Sequence, residues 1–248
     1  MKKLILFTFI IILSLFAIGC SKNYNNKSVE IEEKITTKVS GVGDELVFKF
    51  IPGEYHNHPT FAVWVEDMEG NYLHPLYVTR SVSSGIWGHG ELSPGKWRDK
   101  PGKAVRTAAL PYWFHKRGDG TMPAIPDTEY SLPDAITSAT PKAGFYLKTN
   151  SGIKGDEPYR ILMEINQTWD WNDYWHNNKY PGNMDYKTSS QPALVYAVTI
   201  YPNSEMKEYY LNPVGHSHYS GKNGLLYTDL STFTTALEIF DEIKVTLK

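Results

Sequence analysis

Cysteine is almost absent: the 248 residues contain one, Cys20. No disulfide can close within the chain, so the fold must stand on its core alone. Long apolar runs are missing as well. After Ile18 no stretch approaches the roughly 20 apolar residues that a membrane helix needs. Neither sign of charge dominates, with 25 basic against 27 acidic residues. A chain so balanced has no electrostatic footprint for nucleic acid. Catalytic signatures are also lacking: there is no Gly-x-Ser-x-Gly elbow, Walker loop, dinucleotide fingerprint or His-Glu-x-x-His. The adjacent acids Glu66-Asp67 and Asp156-Glu157 would point apart in a strand, which suits them poorly to paired acid/base work. These absences favour a binding or accessory protein over an enzyme.

What is present begins at the N-terminus. Lys2 and Lys3 precede a run from Leu4 to Ile18 that only Thr8 and Ser14 interrupt. That length suits the apolar region of a secretory signal better than a membrane span. Gly19 directly before Cys20 resembles the lipobox of bacterial lipoproteins, with Ala17 where leucine is usual. The resemblance implies diacylglyceryl transfer to the Cys20 thiol and cleavage after Gly19; the alternatives are an ordinary secretory signal and an uncleaved anchor. Lipidation would also account for the odd thiol. The organisation read from this is a signal over 1–19, a lipidated Cys and polar tether over 20–37, and one domain over 38–248. Loss of Lys2 and Lys3 leaves 23 basic against 27 acidic residues, a net of −4. No acidic run follows Cys20, which favours a periplasm-facing place in the cell envelope, with the lipid as the only membrane contact.

From Glu45 the pattern is that of strands. Glu45–Ile51 and Thr60–Glu66 are β-branched and aromatic, Asp67–Asn71 is a turn sequence, and Tyr72–Val82 reads as the return arm of a hairpin. Gly85–Gly102 reads as loop. Arg106–Lys116 suggests a short helix broken at Pro111. Further strands are expected at Gly144–Thr149, Tyr159–Gln167, Ala193–Tyr201 and Ile239–Leu247. The fold class that follows is all-β: an immunoglobulin- or fibronectin-like sandwich with long loops and at most short helices.

Three stretches carry a second resemblance: FAVWVEDMEGNYL at Phe61–Leu73, LPDAITSATPKAGFYL at Leu132–Leu147, and PYRILMEIN with QPALVYAVTI, which ends at Ile200. Together they resemble an uncharacterised family of periplasmic bacterial proteins known only as a domain of unknown function, numbered twenty-two seventy-one. The Asp134–Pro141 turn is its strongest element, with Ser138 where the family often has glycine. The resemblance implies an immunoglobulin-type sandwich and an accessory envelope role, with protein partners near redox or flavin-transfer systems. It supplies no catalytic residue.

Two sets of residues could carry chemistry. Four of the eight histidines form His-x-His units, His56/His58 and His216/His218. In an extended chain, residues i and i+2 share a face, so two such units could complete a zinc or copper site, with His89 as a further ligand. The competing reading makes them loop histidines bonded to backbone, since Pro59, Gly215 and Gly221 flank them. The second set is Trp169, Trp171, Tyr174 and Trp175, beside carboxylates and amides. Exposed rings of this kind stack on sugars; buried, they would cap the core. Asp170-x-Asn172-Asp173 offers oxygen ligands for calcium but no complete loop pattern. Arg106, Tyr112, Trp113, His115, Lys116 and Arg117 form a basic-aromatic strip suited to an anion or to a helix end.

Overall fold

A computed structural model of the chain describes residues 31–36, 41–93, 95–118 and 140–248. Among them lie fourteen strands: β1 Ile31–Thr36, β2 Glu45–Pro52, β3 Thr60–Glu66, β4 Tyr72–Val78, β5 Ile86–Trp87, β6 Glu91–Ser93, β7 Lys96–Trp97, β8 Gly102–Lys103, β9 Gly144–Asn150, β10 Tyr159–Asn166, β11 Leu194–Ile200, β12 Glu208–Tyr210, β13 Asn212–His216 and β14 Phe240–Leu247. Three short helices join them: α1 Arg80–Ser84, α2 Pro111–Arg117 and α3 Met184–Ser189. A turn of 3-10 helix spans Thr235–Glu238.

Two five-stranded sheets result, ordered β1-β9-β2-β14-β12 and β13-β11-β10-β3-β4. The protein is an all-β sandwich, as its strand pattern predicts. Period-two alternation explains the first sheet: in β2, Leu46, Phe48 and Phe50 are fully buried while their neighbours are partly exposed. Phe50 is the hub, with ring centroids 4.5 Å from Phe145, 5.3 Å from Phe240 and 5.6 Å from Phe61. Burial of rings this size supplies about 1.5–3 kcal/mol each.

The second sheet is covered on both faces, which is why every residue of β3 is buried. Phe61, Val63 and Val65 face the sandwich core, while Ala62 and Trp64 join a second cluster with Leu110, Trp113, Leu162 and Val195. Helix α2 supplies much of that cover. Pro111 sits in its first turn, where a missing N–H costs nothing. The sequence pattern put a break at Pro111; the structure starts a helix there instead. Leu110 at the N-cap offers no side-chain acceptor, and the buried Glu164 carboxylate takes over that role from β10. It accepts the N–H of Tyr112 at 3.1 Å and of Trp113 at 2.7 Å.

Other expectations shift in detail. The hairpin arm at Tyr72 ends at Val78 and passes into α1. The stretch read as loop holds two small pairs, β5 with β8 and β6 with β7. Ile31–Thr36, read as tether, instead pairs in parallel with β9 at the edge of the first sheet. Of the Asp134–Pro141 turn, only Thr140 and Pro141 lie within the described residues.

Candidate binding surface at the loop end

The candidate residues gather at one end of the sandwich. There β2 leads into 53–59, β4 into 79–118, β10 into 167–193 and β13 into 217–239. The strand register puts Thr60, Asn166, Leu194 and His216 side by side along that edge of the second sheet.

The histidines reach this end without converging. Among the described residues no group of three or more His, Cys, Asp or Glu is placed to hold a metal ion. The reason is local geometry. His58 has φ 52°, so the chain there is not extended and the shared-face argument fails. His56 turns inward, its Nε2 2.9 Å from the Pro141 carbonyl and its Nδ1 3.3 Å from that of Ile239. Burial holds it below the usual histidine pKa. The Nδ1–H of His216 donates to the Ser217 carbonyl at 2.8 Å, and the ring packs among Trp175, Tyr227 and Phe233. His218 accepts the Ser220 backbone N–H at its Nδ1, 3.1 Å away. The Ser220 hydroxyl lies 3.1 Å from that same nitrogen, which marks a local turn rather than an activated nucleophile. His89 stands apart, half-exposed, 3.7 Å from Asp99.

The aromatic run divides. Trp175 is buried, its Nε1 donating to Thr232 Oγ1 at 3.1 Å, and Trp171 meets Tyr186 edge-on. Both cap the core. Trp169 and Tyr174 are about half exposed, at 47% and 49%. The Lys179 ammonium lies 3.2 Å from the centroid of Tyr174, whereas the ring nearest Trp169 is that of His89, 5.6 Å away. Asn172 is no calcium ligand: its amide donates to Gln191 Oε1 and Thr232 O, and its oxygen accepts the N–H groups of Tyr174 and Trp175.

A cleft of about 620 Å³ opens at the same end, with His58, Thr60, Thr79, Arg80, Ser84 and Gly88 on its walls. His58 holds its positive φ there, a conformation that costs about 1–3 kcal/mol and tends to occur at working sites. Strand β5 separates the cleft from a second feature, with Ile86 exposed towards solvent and Trp87 buried behind it.

That feature is Arg106. The basic-aromatic strip scatters: Tyr112 and Trp113 enter the outer cluster, His115 bonds back to Pro111, and Lys116 reaches Glu66 at 3.5 Å. Arg106 is 8% exposed and lies over Trp87 at 4.5 Å and Trp97 at 5.4 Å. It donates to Thr168 Oγ1 at 3.2 Å and to the His89 carbonyl at 3.4 Å. Burial pushes its pKa down to about 10.

No protein family, curated protein or solved structure matches the chain. The surface must therefore be read from its own chemistry. Sequence reasoning placed Arg106 in the wrong company because Trp87 and Trp97 lie in a stretch it took for loop. The legible signal was charge. From Arg80 to Arg106, both included, there are six basic residues and two acidic ones, in a chain whose net charge is −2.

Proposed function

We propose that the chain is a lipid-anchored binding module of the bacterial cell envelope, facing the periplasm, which takes its ligand at the loop end and performs no catalysis of its own. The observation that carries this reading is the open cleft at the loop end. Its walls offer hydroxyls, an imidazole and a guanidinium, and no hydrogen-bonded pair of nucleophile and base lines it among the described residues. The lipobox-like Gly19-Cys20 supports the anchor. A second reading, a glycan-binding module, is favoured by Trp169, whose half-exposed ring sits on a backbone with φ 62°.

The test has two parts. In detergent phase separation Cys20→Ser should move the protein to the aqueous phase; a cleaved variant that stays with detergent removes the anchor. In hydrogen exchange, isolated envelope polysaccharide should protect residues 79–89. Protection elsewhere, or none, removes the loop end as the binding surface.

A further inference from the structure

We infer that Arg106, with Trp169 and His89, forms a subsite for a carboxylate-bearing sugar. The inference deepens the binding-module reading and rests on it. Arg106 carries five N–H donors, of which two have partners, one on Thr168 and one on the His89 carbonyl. Its Nε is buried without a partner. Among the described residues no carboxylate lies within 4.0 Å of the guanidinium, although such pairs form elsewhere in the chain. A buried cation normally has a counter-charge. Here Glu91 attracts the guanidinium only from beyond ion-pair distance, two indole faces hold it in place, and its Nε–H is left without an acceptor.

The surroundings select the ligand. Thr168 and His89, which bond Arg106, connect it directly to Trp169: one precedes Trp169 in the chain, and the other's ring centroid lies 5.6 Å from that of Trp169. Trp169 is half exposed and held at φ 62°, so part of its ring meets solvent at a strained position. A sugar ring stacks its C–H surface on such a face, and a carboxylate on that ring meets a planar guanidinium two donors at a time. A guanidinium takes a phosphate as readily as a carboxylate, so it is the aromatic ring of Trp169 beside it that favours a sugar acid over a bare anion. Lys96, Arg98, Lys100 and Lys103 are exposed around this subsite and draw an acidic polymer towards it. Two further buried atoms without partners, Trp87 Nε1 and Ser190 Oγ, lie in the segments that build it.

The experiment titrates the protein as purified in detergent micelles with tetragalacturonate and with its methyl ester, following tryptophan fluorescence. The acid should saturate the signal and the ester should bind about tenfold more weakly or worse, the scale of one charge-assisted bond. Trp169→Ala should weaken both ligands, and Arg106→Lys should abolish the preference for the acid. Trp169 is a surface position, so that variant keeps the test sharp if Arg106→Lys fails to fold. Equal affinity for acid and ester, binding of neither, a preference that survives Arg106→Lys, or displacement by inorganic phosphate as effective as by the acid would each overturn the subsite. Ester binding without acid preference would leave the loop-end module standing, so failure of this inference is distinguishable from failure of that reading.

Discussion

Glu164 reaches through the outer cluster to accept the backbone N–H of Trp113 at 2.7 Å, joining the centre of the second sheet to the first turn of α2. It is fully buried, and burial pushes its pKa from 4.5 up to about 8, against the two N–H donors and the Ser217 hydroxyl, which favour the anion. Between those two values the folded chain binds more protons than the unfolded chain. Stability therefore falls as pH rises through that interval. Between pH 7 and 8 wild type should lose about 1 kcal/mol, within the limit of 1.36 kcal/mol per unit. Glu164→Gln should be flat over the same interval. Urea midpoints for both proteins measure the difference, and parallel curves would show that Glu164 does not titrate there.

Gly221 ties the β13–β14 loop to the segment that carries Arg106. Its φ is 73°, and an added Cβ would sit 2.2 Å from the Thr107 carbonyl oxygen, which is backbone and cannot swing aside. Gly221→Ala should cost about 2 kcal/mol or more. Gly182→Ala, where nothing lies within 4 Å, is the control. Equal melting temperatures for the two variants would refute the close approach.

Burial lowers the pKa of His56, His216 and His218. The unfolded chain takes up these protons first, so stability should decline as pH falls below 6.5, opposite in sign to the Glu164 effect. Melting temperatures recorded from pH 7.5 down to 5 test this, and His56→Gln should blunt the loss. Calorimetry with Zn²⁺ should give the same heats for wild type and for His216→Ala/His218→Ala. A saturable site present only in wild type would revive the metal reading.

Strand positions were legible because alternation is a local property. Leu46, Phe48 and Phe50 announce which face of β2 is buried, and β9, β10, β11 and β14 fall close to their expected places. The burial of Trp64 on the opposite face of β3 was not legible, since it depends on α2 arriving from about 50 residues downstream. The candidate site shows the same limit. Shared-face reasoning for His56 and His58 presumes an extended chain, and the positive φ of His58 comes from the tertiary packing of a turn. Trp169 was legible as a ring but not as an exposed one, because Trp175, six residues on, is buried against Phe233. Arg106 needed Trp87 and Trp97 folded over it, a contact that no spacing rule encodes.

Strand β1 determines at which end of the sandwich the chain enters. Ile31, its first residue, pairs with Gly144 at the start of β9, so the chain enters the sandwich at the loop end. Cys20 and Ile31 are eleven positions apart, and a fully extended chain of that length spans about 40 Å. With the proposed lipid on Cys20, the leash is shorter than many domains are wide, and it is attached on the ligand side. The loops would then lie on the side of the domain from which the tether leaves for the bilayer. The molecules within their reach would be those in the thin layer next to the membrane.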